Sequence, residues 1–164
     1  MTAPLLVFGW GNLSRGDDAL GPMFIRHLRA QVRAQVRAQV RARSGDAGAH
    51  RVEFLEDYQL QVEHALDLAG RERVLFVDAS VDCAAPFEAT VLQPARDSGV
   101  TTHAMSPAAV MQVFRDVHHA EPPPCTLLAI RGETFELGEP PGESALANLG
   151  LAVGWGVRWV GGPP

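Results

Sequence analysis

Lysine is absent from this 164-residue chain; all 14 of its basic residues are arginine. That excludes a phosphate-binding loop, which needs Gly-Lys-Ser/Thr. The bias itself reads as a property of coding rather than of chemistry. Cysteine is scarce too. Cys83 and Cys125 stand far apart and form no Cys-x-x-Cys, which argues against a thiolate zinc site or a redox pair. No secretion signal accompanies them, so a structural disulfide is not expected. Long apolar runs are also missing. Leu5 to Trp10 is too short for a signal-peptide core and has no basic flank before it. No window approaches the roughly 18 apolar residues of a membrane helix. A cytoplasmic protein without a membrane partner is expected. The net charge of -5 gives nucleic acid no general electrostatic attraction. No Gly-x-Ser-x-Gly nucleophile elbow occurs.

The composition that remains is ordinary for one soluble domain: 46% hydrophobic and 20% charged residues. Leu5-Leu6-Val7-Phe8 reads as a buried strand running into the turn Gly9-Trp10-Gly11-Asn12. Asp17 or Asp18 is placed to cap a helix from about Ala19, with Met23, Phe24, Leu28 and Val32 on its apolar face. From Ala30 the tetrapeptide Ala-Gln-Val-Arg recurs up to Arg43. A period of four keeps Val32, Val36 and Val40 roughly on one side, drifting by about 40° per step, with Arg33, Arg37 and Arg41 as a parallel stripe. We read the stripe as a lengthened, solvated helix rather than a docking surface.

Ser44 to Ala49 reads as a small-residue loop and Val52 to Leu55 as a strand. Leu60 to Leu68 is a short helix closed by Gly70. Val74 to Val77 forms a third strand ending at Asp78, and Glu88 to Gln93 a half-exposed or edge strand. Ser106-Pro107 starts a helix, Thr126 to Ile130 is a strand, and Ser144 to about Trp159 a last helix that Gly150, Gly154 and Gly156 weaken. Strands alternating with helices predict an α/β fold with a mostly parallel sheet.

In such a sheet ligands bind beyond the carboxyl ends of the strands, where the strand order reverses. Asp18 follows the first strand and its turn; Asp78 ends the third. Neighbouring strands would turn both carboxylates into one crevice. His103, in the loop before Ser106, completes an O,O,N set suited to nickel or zinc with positions left open for a substrate. The glycine turn is a poor dinucleotide fingerprint, because Ser14 stands where the third glycine belongs. Cys83 reads as a small buried residue, and His118-His119 as surface.

Phe8-Gly9-Trp10-Gly11-Asn12-Leu13 followed by Gly16-Asp17-Asp18-Ala19-Leu20-Gly21 resembles the N-terminal signature of the nickel–iron hydrogenase maturation endopeptidases, G-x-G-N, a spacer, then G-D-(D/E)-x-x-G. Val77-Asp78-Ala79 resembles their second motif and His103-Ala104-Met105-Ser106-Pro107 their third. The resemblance implies a twisted five-stranded, mostly parallel sheet with helices on both faces. It implies metal binding by Asp18, Asp78 and His103, which would also be the catalytic residues. The metal would be nickel supplied by the partner, a hydrogenase large-subunit precursor, with other divalent metals able to substitute in isolation. The implied activity is removal of the precursor's C-terminal extension by a monomer. Where the family often has aspartate and Gly-Gly-Thr, this chain reads Glu56-Asp57-Tyr58-Gln59-Leu60, and either acid fits the position. With Gln61 and Glu63, this segment resembles the branch serving NAD-reducing or bidirectional hydrogenases. Two other classes stay open: a non-catalytic nickel-sensing chaperone using the same three ligands, and a nucleotide-binding α/β enzyme resting on the glycine turn.

Overall fold

A computed structural model describes residues 1–42, 51–98 and 104–163. Its five strands are β1 (Leu5–Trp10), β2 (Val52–Asp57), β3 (Arg73–Ser80), β4 (Phe87–Val91) and β5 (Cys125–Arg131). They lie in the order β2-β1-β3-β5-β4, parallel except for β4, which runs antiparallel to β5 at the edge. Three helices accompany them: α1 (Leu20–Ala42), α2 (Pro107–His118) and α3 (Glu143–Gly161). Two short 3₁₀ helices cover Gly16–Ala19 and Val62–Leu68. No helix among the described residues is long and apolar enough to cross a membrane.

The sheet is buried on both faces, as parallel sheets require. Strand alternation sorts the side chains. Val7, Leu75 and Val77 join Phe24, Ile25 and Leu28 of α1 and Leu149 and Ala152 of α3 in one cluster. Leu6, Phe8, Val74 and Phe76 point the other way, onto Leu60, Leu68 and the Val110, Met111 and Phe114 face of α2. Each fully buried large side chain contributes roughly 1.5–3 kcal/mol.

Ser106 caps α2 as its sequence predicts: its hydroxyl accepts from Ala109 N–H at 3.1 Å, with Pro107 in the first turn. The glycines of α3 do not break it. Gly156 lies where α3 crosses α1, and a Cβ there would come 2.6 Å from Phe24 Cζ, so the small residue permits the close crossing. Val32 is buried and Val36 packs on the core, while Arg33 and Arg37 are exposed, in line with a solvated stripe. The Ser44 to Ala49 segment lies outside the described residues.

Two local expectations are corrected. β3 does not end at Asp78; it continues to Ser80, with Asp78 opposite Ala129 of β5. Neither Asp17 nor Asp18 caps a helix, because longer-range donors claim both carboxylates.

Candidate active site

The chain leaves β1 for α1 and returns on one side as β2, while β3 and its successors fill the other side. The strand order therefore reverses between β1 and β3, where α/β sheets carry their ligand crevices. On the α2 face, Asp57 stands opposite Trp10 across the β2–β1 register. Asp78 follows Phe76 on that same face, and the Trp10 and Phe76 rings meet edge-on at 6.0 Å.

Asp18 reaches this end of the sheet through the β1 turn. Asn12 N–H donates to its Oδ2 at 2.9 Å. The turn closes this tightly because Gly11 adopts φ +144, a conformation side chains avoid, and a Cβ there would lie 2.0 Å from the Asp18 carbonyl oxygen. Gly21 plays the matching part on the helix: its missing Cβ, which would meet Trp10 O at 2.2 Å, lets α1 press against β1.

Asp17, by contrast, is 1% exposed and structural. Its carboxylate accepts backbone N–H groups from Glu133 (2.7 Å), Thr134 (3.0 Å) and Gly142 (2.8 Å). Burial opposes its ionisation, yet these donors outweigh it and hold the carboxyl below the usual range. Because Gly142 caps α3, this one side chain ties the start of α1 to the β5–α3 loop.

Asp78 is half-buried, and burial pushes its pKa up to about 7. The charge of Asp18 pushes in the same direction, while hydrogen bonds from Ala79 N–H and the Trp10 indole partly offset both. The two carboxylates thus share one electrostatic environment. A cation between them would relieve both their repulsion and the desolvation of Asp78, so the donor set fits a divalent metal. His103 lies outside the described residues, and among the described residues no group of three metal-ligating side chains assembles.

The acids at the end of β2 separate cleanly. Glu56 lies on the α1 face and is paired with Arg26, at 2.8 and 3.2 Å; that bond holds its carboxyl below the usual range. Asp57 lies on the site face and takes His64 Nε2 at 3.1 Å. Gln61 N–H donates to His64 Nδ1 at 2.8 Å, so Nε2 carries the proton donated to Asp57. The His64 ring rests on Phe8 at 4.7 Å. Sequence reading overlooks this pair because Asp57 and His64 are brought together only by the intervening turn. Asn12 donates to the Tyr58 hydroxyl at 2.6 Å, joining the β1 and β2 turns. Glu63 lies with Gln59 and Gln61 beside a shallow pocket near Met105. Cys83 and Cys125 are buried free thiols, and burial pushes Cys125 up to about 12.

A doubly covered α/β sheet with a carboxylate pair at its switch point defines a class of proteins that seat a ligand or substrate beyond the carboxyl ends of β1 and β3. Comparison with solved structures narrows the fold further. It is shared with the nickel–iron hydrogenase maturation protease HycI of Thermococcus kodakarensis KOD1 (TM-score 0.67, 19% identity, 98% of this chain and 94% of that one). It is likewise shared with the hydrogenase maturating endopeptidase HybD of E. coli (TM-score 0.67, 22% identity, 95% and 91%). The endopeptidase HycI of Escherichia coli gives a TM-score of 0.61 at 17% identity, over 97% and 91% of the two chains. At these identities the likeness establishes the fold, which is the fold of the maturation endopeptidases. No protein-family model matches the sequence, and no curated protein matches it.

Proposed function

We propose that this chain is an endopeptidase that removes the C-terminal extension of a nickel-loaded hydrogenase large-subunit precursor. The observation that carries the reading is the pairing of Asp18 with Asp78 at the switch point of a fold shared with maturation endopeptidases. Nickel enters as part of the substrate. Asp18 and Asp78 would hold it, and His103 is the nitrogen donor the sequence motif supplies. A cation so placed supplies polarisation of a carbonyl or acidification of water. The chain's own groups do the positioning: Asn12 N–H aims the Asp18 carboxylate, and Ala79 N–H with the Trp10 indole aims that of Asp78. Cleavage that depends on loaded nickel makes the protein a checkpoint, acting on the cytoplasmic precursor as a monomer.

Intact-mass analysis of the precursor tests this. The wild-type protein should remove a discrete C-terminal peptide from nickel-loaded precursor and leave nickel-free precursor whole. Asp18→Ala, Asp78→Ala and His103→Ala should each lower processing by at least about a hundredfold, the scale of losing a group that acts on the transition state. Normal processing by all three would sink the assignment; binding without cleavage by the wild type would replace it with a nickel-sensing chaperone.

A further inference from the structure

Next to Asp78 the crevice opens into a cleft of about 570 Å³, within the range of ligand-binding pockets. Arg15, Ser80, Val81, Leu127 and Phe135 line it together with Asp78. Arg15 comes from the spacer between the two halves of the glycine–aspartate motif. The spacer is knitted to the β5–α3 loop: Arg15 pairs with Leu137 in a β-bridge, and Gly16 N–H donates to Glu139 O at 3.0 Å. The Arg15 Nε–H donates to Phe135 O at 3.0 Å. That bond restrains the guanidinium through Nε alone and leaves the two terminal nitrogens of this exposed, cleft-lining side chain outside it. Among the described residues no carboxylate pairs with them, although four other arginine side chains do form ion pairs.

We infer that Arg15 is a substrate-recognition residue that takes a carboxylate of the peptide lying in this cleft, beside the bond positioned at Asp18 and Asp78. The inference rests on the endopeptidase reading and names the feature its substrate must carry. A planar fork with two parallel donors matches a carboxylate bidentately. Asp78 and Asp82 also line the cleft and disfavour an acidic peptide, so the match must be carried by Arg15, the basic residue among the lining groups. Val81, Leu127 and Phe135 give the adjoining peptide an apolar floor. The carboxylate can be the free C-terminus of the extension or an acidic side chain within it.

The test uses full-length protein and nickel-loaded precursor. Arg15→Gln should raise KM by about tenfold or more with kcat within about threefold, the loss expected for a charge-assisted bond made equally in ground and transition states. Arg15→Lys should recover part of that loss, keeping the charge without the fork. Precursors whose extension is amidated at the C-terminus, or carries amides in place of its acidic side chains, separate the two carboxylate sources. The variant of the right source should show the same KM rise with wild-type protein and no further rise with Arg15→Gln. A merely structural Arg15 would lower stability without abolishing that dependence on the substrate's acid. An unchanged KM in Arg15→Gln, or additive effects with every amidated precursor, overturns the inference. If the wild type processes no precursor, the endopeptidase reading falls by itself. Amide NMR titration with N-acetyl-glutamate against N-acetyl-glutamine amide, which has no carboxylate, then decides about the cleft. Shifts at Ser80, Val81 and Phe135 with the acid alone, lost in Arg15→Gln, keep the carboxylate site; no shifts remove it.

Discussion

Two aspartates of this chain face opposite physical problems. Asp17 is buried among backbone donors that stabilise its charge, whereas Asp78 sits where burial and the Asp18 charge disfavour ionisation. Their contributions to stability therefore have opposite signs. Asp17, with a lowered folded pKa, adds stability that is present above its unfolded value and lost as pH falls through the folded value. Asp78 binds its proton more tightly when folded. Stability therefore declines as pH rises from 3.8 towards about 7, and stays reduced above it. At 1.36 kcal/mol per pH unit the ceiling on that loss is about 4 kcal/mol. In metal-free protein at pH 8, urea unfolding should find Asp78→Asn more stable by about 1–3 kcal/mol, with the gain gone near pH 4. Asp17→Asn should be less stable by about 2–3 kcal/mol at pH 8, since an amide oxygen replaces the charge that three N–H groups address. Changes of the same sign at pH 8 would overturn this electrostatic account. From sequence, Asp17 and Asp18 serve equally as helix caps, and the motif resemblance singles out Asp18 for the site. What separates them is the β5–α3 loop, more than a hundred residues further along the chain, whose N–H groups converge on Asp17 alone.

At the scale of elements, local pattern is a good guide to where strands and helices occur and a poorer one to where they stop. β3 outruns its apolar stretch by three residues because β5 continues to pair with it through Ser80↔Arg131. α3 is legible from its apolar content but doubtful from its glycines, and packing resolves the doubt differently at each. Gly150 is exposed with open space around its Cβ position, whereas Gly156 touches Phe24. Gly150→Ala should then stabilise the protein by about 0.5–1 kcal/mol through helix propensity alone. Gly156→Ala should destabilise it by about 1–3 kcal/mol through overpacking. Thermal unfolding of the two variants checks the pair; equal gains would mean that α3 does not rest on α1 at that crossing. The arginine stripe carries no such structural demand, in keeping with its exposure.

At the scale of the molecule, the sheet order makes a site of groups that lie sixty residues apart. Under the proposed function, nickel binding at such a site is linked to protonation, because Asp78 would have to release its proton to serve as a ligand. Nickel added to the isolated protein at ten to a hundred times its Kd should raise stability by about 1.4–2.7 kcal/mol at pH 8. The rise should be smaller at pH 5.5, below the Asp78 value of about 7, and lost in Asp78→Asn. An equal rise at both pH values would exclude Asp78 as a ligand.

The sequence alone determined the α/β class, the strand and helix positions, and the aspartates to watch, because periodicity, capping residues and motif spacing are local properties of the chain. Only the tertiary structure decided which acid of Glu56 and Asp57 faces the site, since a one-residue step in a strand turns a side chain to the opposite face. It alone decided that Asp18 is near Asp78 while Asp17 is withdrawn, and that Arg15 borders the same cleft. Those outcomes depend on strand order, register and the return of a distant loop. No window of residues around any one of them contains that information.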